Sequence, residues 1–179
     1  MMGVVIIISN YLVQFPINKF QLQDILTYGA FSYPITFLII DLANRRFGKK
    51  KSRKLVYIGF AIGILLTAFV STNFQDIISI RIALGSGVAF LVAQLTDIEI
   101  FQRLRNKKWF VAPITSSISG SAIDTFLFFP LAFLGTGISW VTLAFGDLFV
   151  KFLMALLMLI PFRILIFKIR DLNGKKYTA

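Results

Sequence analysis

Asp97, Asp124 and Asp147 each stand inside a long apolar stretch, where a carboxylate has no water to hold it. Gln94 precedes Asp97 by about one helical turn, and Lys151 follows Asp147 by another. Keeping a charge at bilayer depth costs about 3 kcal/mol on insertion scales, so such a residue marks a pathway, a ligand site or a buried pair. The chemistry on offer is hydrogen bonding and charge. A carboxylate accepts from paired N–H donors, while an amide or ammonium group donates to a carbonyl. Asp147 and Lys151 share one helical face at i, i+4 spacing and can neutralise each other. Asp124 has no cation within a turn of its own helix, which makes it the principal ligand contact expected. Asn10 and Gln14 add amides in the first apolar stretch, and Arg81 stands at the outer end of the fourth. The candidate substrate-binding set is therefore Asp124, Asp147, Gln94, Asp97, Asn10, Gln14, Arg81 and Lys151.

These groups need a frame of membrane helices. Apolar segments at about 2–18, 28–44, 55–71, 77–102, 109–133 and 139–167 predict an all-α, polytopic bundle of six transmembrane helices in one domain. Pro34 and Pro161 fall within spans, where a kink is tolerated. With a rise of 1.5 Å per residue, Asp124 lies roughly 22 Å into the fifth span and Asp147 about 12 Å into the sixth, at comparable depth from opposite ends. Asn10 and Gln14 fall near mid-depth, and the set converges on one central cavity with Gln94 and Asp97 as its inner floor. Arg81 can snorkel to the outer interface. Asp41, beside a basic loop, reads as an interface partner of Arg45. Ala83, Gly87 and the Thr115–Ala122 run (TSSISGSA) are small residues that let helix backbones approach closely. Phe31, Tyr33, Trp109, Phe126 and Phe128 could stack on a flat ligand or serve as core and interface belt.

Composition supports the membrane reading and removes most enzyme classes. The chain is 57% hydrophobic with 20 Phe and 8 acidic residues among 179, more apolar than a water-soluble domain of this size. Cysteine and histidine are absent, which removes disulfides, thiolate metal sites, histidine-dependent proteases and most zinc chemistry. There is no Walker A loop for ATP hydrolysis. Gly146–Asp147 is half of an intramembrane aspartyl protease motif, but Ala144 stands where the first glycine belongs. No enzyme, no cofactor and no metal site are expected. The first segment lacks the basic start and cleavage site of a signal peptide and reads as retained.

The charge of +11 is distributed by loop. The 2–3 loop (RRFGKKKSRK), the 4–5 loop (QRLRNKK) and the tail carry 15 of the 19 Lys and Arg residues. The positive-inside rule then places these loops and both termini in the cytoplasm. Basic clusters beside spans are topology signals and anionic-lipid contacts, so the lipid bilayer is the expected partner and nucleic acid is not.

Four stretches resemble the queuosine-precursor transporter family: SNYLVQFP (Ser9–Pro16), GAFSYPITFLIIDLANRRFG (Gly29–Gly48), RIALGSGVAFLVAQLTDIEIFQRLR (Arg81–Arg105) and WFVAPITSSISGSAIDTFLFFPLAF (Trp109–Phe133). A Gly-Asp-x-x-x-Lys segment ending at Lys151 and the late Pro161 agree as well. The chain departs at its amino end, lacking the extra cytoplasmic residues some relatives carry. The family is a branch of the vitamin uptake transporters, related in architecture to the substrate-binding subunits of energy-coupling-factor importers. The resemblance implies import of 7-deazaguanines such as 7-cyano-7-deazaguanine across the bacterial inner membrane. It also implies a carboxylate, Asp124 or Asp147, for the donor edge of the base and an amide, Asn10, Gln14 or Gln94, for its carbonyl. Two other readings stay open: a binding subunit that needs an ATP-driven partner, and a membrane scaffold without a ligand. Uptake by the purified chain in liposomes separates the first from a self-sufficient importer; a saturable ligand excludes the second. The small-residue faces also allow a homodimer.

Overall fold

The computed structural model describes residue 31 and residues 34–70 and 77–167. Every regular element among them is a helix: α1 (Pro34–Val70), α2 (Ile77–Leu104), α3 (Val111–Phe133), α4 (Trp140–Leu157) and α5 (Leu159–Ile166). The first expected span, with Asn10 and Gln14, lies outside the described residues, as does Tyr33. Three stretches are long and apolar enough to cross a membrane: Ile77–Leu104, Val111–Phe133 and Trp140–Ile166.

α1 contains what the sequence presents as two spans and a basic loop. The helix runs to Phe47, breaks at Gly48 (φ 77°, ψ 172°) and resumes at Lys49. A positive φ is a conformation that glycine adopts without the steric cost of a Cβ. The expected ten-residue loop is thus a one-residue turn, because Ala, Arg and Lys are good helix formers and continue the helix on both sides. Arg46, Lys50, Lys51 and Lys54 are exposed around this turn. Arg45 is buried, with Nη1 donating to the carbonyl of Arg105.

The two arms of α1 meet α2 in opposite senses. In the first arm, Gln94 Nε2 donates to Thr36 Oγ1 (2.9 Å) and Asn44 Nδ2 to the Ile98 carbonyl (3.0 Å), so arm and helix run parallel. The second arm returns antiparallel, with Lys49 and Arg53 on Glu99 and Ile64 against Gly87. Gly87, one of the small residues expected to let helix backbones approach, meets its neighbour inside the chain.

Prolines explain the remaining interruptions. Pro113 lies in the first turn of α3, where a missing N–H costs little. Pro161 leaves the Leu157 carbonyl without its usual donor, and the sixth apolar stretch divides at Met158, one turn before the proline. Between α3 and α4 the chain turns through Gly135 and Gly137, both at φ near +80°.

Packing is inverted relative to a water-soluble domain. Phe145, Phe149, Leu84, Ile160 and Ile164 are exposed, while Asp97, Gln94, Ser116, Thr125, Asp124 and Lys151 are buried. A bundle surrounded by hydrocarbon must turn apolar side chains outward and satisfy its polar groups internally. α3 is the central helix of this arrangement, in contact with α1, α2 and α4. It approaches its neighbours closely at Gly120, where a Cβ would stand 2.5 Å from the Phe37 ring and 3.4 Å from the Ala93 carbonyl.

Candidate functional site

One face of α3 is polar along its length: Ser116 and Ser117, then Ser121, then Asp124 and Thr125. All five are buried. The i, i+4, i+8 spacing aligns them as a track of roughly 13 Å. Two clusters form on this track, one at each end of it.

The first cluster joins α3 to α4. Lys151 Nζ lies 2.7 Å from Asp124 Oδ2 and 2.5 Å from Asp147 Oδ2. It also donates to Thr125 Oγ1 (3.2 Å), whose hydroxyl donates to Asp147 Oδ2 (2.8 Å). Lys151 is 3% exposed, Asp124 4% and Asp147 6%, so the charges face one another away from the bundle surface. The expected i, i+4 pair of Asp147 and Lys151 is present. Asp124, which has no cation on its own helix, receives one from the neighbouring helix: the same ammonium serves both carboxylates. The set carries two anionic acceptors for one cationic donor, within a single enclosure.

The second cluster lies two turns away along α3. Asp41 of α1 accepts from Ser116 (Oδ1, 3.2 Å) and Ser117 (Oδ2, 3.3 Å). Asp97 of α2 lies against Asp41 and Ser116. Asp97 is fully buried, and among the described residues neither of its carboxylate oxygens has a hydrogen-bond partner. The expected interface pair of Asp41 with Arg45 is not formed: Asp41 points at the α3 serines, and the Arg45 guanidinium turns to the backbone of the α2 end.

The other sequence candidates take separate places. Gln94 is buried beside Thr36, one turn from Asp97, and its Oε1 has no hydrogen-bond partner among the described residues. Arg81 Nε donates to the Leu131 carbonyl (3.1 Å), so the guanidinium caps the last turn of α3 and stands apart from both clusters. Trp109 packs edge-on with Phe110 and lies 4.9 Å under the Arg163 guanidinium. Phe128 belongs to an apolar core with Phe129 and Ala132, and Phe31 and Phe126 are exposed.

Sequence reading gave Asp41 a different partner, took the serines of the Thr115–Ala122 run chiefly as packing residues, and did not single out Thr125. The signal was present in α3, since a stripe of hydroxyls at helical spacing ends on Asp124. The small size of these residues also satisfies close packing, and the Gly120 contact confirms that they serve it.

Comparison with known proteins assigns this bundle to a family. A family profile described as "Putative vitamin uptake transporter" matches residues 27–166, a stretch that contains both clusters. A "Probable queuosine precursor transporter" of Haemophilus influenzae is 32% identical over 188 aligned residues, covering 88% of this chain and 79% of the relative. A "Queuosine precursor transporter" of Escherichia coli is 31% identical over 176 residues, with the same coverage of 88% and 79%. A "Probable queuosine precursor transporter" of Bacillus subtilis is 26% identical over 156 residues, covering 74% and 68%. No solved structure matches the chain at a significant level. With three membrane-length apolar stretches and bacterial transporter relatives, the chain is a multi-pass protein of the bacterial inner membrane. By the extent of the profile match and the identity to these relatives, the chain belongs to the vitamin uptake transporter family.

Proposed function

We propose that this protein imports 7-deazaguanine precursors of queuosine, such as 7-cyano-7-deazaguanine, and binds the base at Asp124, Asp147, Lys151 and Thr125. The class of cargo comes from the names of the relatives. The observation that carries the site is the enclosed set of two carboxylates and one ammonium between α3 and α4. A guanine-like edge presents adjacent N–H donors and a carbonyl acceptor, the complement of a carboxylate beside an ammonium. Without ligand, the acceptors and the donor satisfy each other. A base entering the cluster exchanges these bonds for its own, donating its N–H groups to Asp124 and accepting from Lys151, so no buried polar group is left unpaired. Asp147 and Thr125 hold the ammonium in place during the exchange. The frame we propose is six spans with both termini in the cytoplasm, following the placement of the cations.

The test is equilibrium binding of 7-cyano-7-deazaguanine to purified protein. Asp124→Asn replaces an acceptor with a donor facing the ligand's donors. Losing a charge-assisted hydrogen bond costs about 1.5–3 kcal/mol, or roughly ten- to a hundred-fold in affinity. A deazapurine lacking the exocyclic amine should bind the wild type poorly and lose little more in the variant. Wild-type affinity in a folded Asp124→Asn protein would overturn the assignment of Asp124.

A further inference from the structure

The Asp41–Asp97 cluster lies outside the base site proposed above, and its composition is unusual for a membrane interior. The α1–α2 register sets the two acids level, since Thr36 meets Gln94 above them and Asn44 meets Ile98 below. Asp41 is 2% exposed and Asp97 0%. Their polar surroundings are the Ser116 and Ser117 hydroxyls on α3. The charged groups on the elements around them are engaged elsewhere. Arg45, one turn along α1, is bonded to the Arg105 carbonyl, and Arg105 in turn donates to the Arg45 carbonyl. Lys151 of α4 is held by Asp124 and Asp147. Arg163 of α5 lies over the Trp109 ring. Glu99 of α2 is bound by Lys49, Arg53 and Arg103.

Two adjacent buried carboxylates repel when both are ionised, and neutral hydroxyls do not offset the loss of water. A positive charge must accompany the pair, and none of the described side chains places one on either acid. The space beside Asp41 and Ser117 is a cavity of about 10 Å³, otherwise walled by apolar residues such as Leu38, Pro113, Met158 and Phe162. That is room for one water at most. A metal cation needs several oxygen ligands arranged around it, whereas a proton needs no added volume.

We propose that Asp41 and Asp97 form a proton-binding site, and that loading and release of this proton accompany passage of the substrate. The second clause rests on the transport function proposed above; the first does not. The mechanical link is α3, which carries Ser116 and Ser117 at one cluster and Asp124 about 10 Å away at the other. A movement of α3 against both α1 and α4 changes the two clusters together.

The proton site is tested by infrared titration of the purified protein. The wild type should show a protonated-carboxyl band that disappears as pH rises. Asp41→Asn/Asp97→Asn, an isosteric mimic of the protonated pair, should lack it, and Asp124→Asn should keep it. The same band in the double variant, or no such band in the wild type at any pH, would overturn the site. Should the double variant fail to fold, Asp97→Asn alone must weaken the band or shift its midpoint.

Coupling is tested in proteoliposomes with the membrane potential held at zero. Both proteins should exchange labelled for unlabelled deazaguanine without a gradient. Only the wild type should accumulate it into an alkaline interior, by about tenfold per pH unit for one coupled proton, and a protonophore should abolish this. Accumulation by the double variant at the wild-type level, or accumulation driven by a sodium gradient, would refute coupling through this pair. Absence of exchange in the wild type would instead refute the transport function, and the infrared titration would still decide the proton site.

Discussion

Lys151 shows how one side chain can organise several others. Its ammonium contacts Asp124, Asp147 and Thr125, and a buried pair that loses one partner is destabilised by about 3–5 kcal/mol. Lys151→Met removes the ammonium that two carboxylates share, while Asp124→Asn leaves the ammonium on Asp147. We therefore expect Lys151→Met to lower thermal stability in detergent well beyond Asp124→Asn; equal melting temperatures would refute this account of the cluster. Half of it was legible in the sequence. The Asp147–Lys151 contact follows from i, i+4 spacing, which any helix imposes. The Asp124–Lys151 contact depends on which face of α3 meets α4, and spacing along one helix carries no such information. For Asp41 the local rule misled: the nearest cation in sequence turned to a backbone carbonyl, and the serines came from a helix 75 residues on.

Among the elements, α3 is the most constrained. Gly120 leaves no room for a side chain against Phe37 Cε1, at 2.5 Å from an ideal Cβ. Overpacking of this kind costs about 1–3 kcal/mol. Gly120→Ala should lower the melting temperature, and Phe37→Leu in the same chain should recover most of the loss. If Phe37→Leu merely adds its own destabilisation, the contact is not what makes glycine necessary. The helical segments themselves were readable from apolar runs of 20 or so residues. The α1 turn was not, because a run of cations signals exposure to water without distinguishing a loop from a solvated helix. Only Gly48 supplied that distinction, and its effect depends on a backbone angle that composition does not reveal.

For the whole molecule, the proposed topology has a clean assay because the chain has no native cysteine. Lys50 is exposed beside the α1 turn, and a cysteine there should react with membrane-impermeant thiol reagent only after the cells are opened. Labelling in intact cells would reverse the orientation. The cation distribution made this expectation accessible from sequence, as the apolar flanks did for the central place of the acids, whereas the helix faces that bring Lys151 to Asp124 and the α3 serines to Asp41 required the structure. The buried ion cluster also bears on how the protein is made. Taken singly, α3 would carry Asp124 across hydrocarbon uncompensated, at about 3 kcal/mol for a charge at mid-helix, and α4 would bring a surplus of neither sign to meet it. The six residues 134–139 join the two helices through a glycine turn short enough for them to enter the bilayer as a hairpin. In that order of events the ammonium reaches the membrane with both carboxylates already at hand.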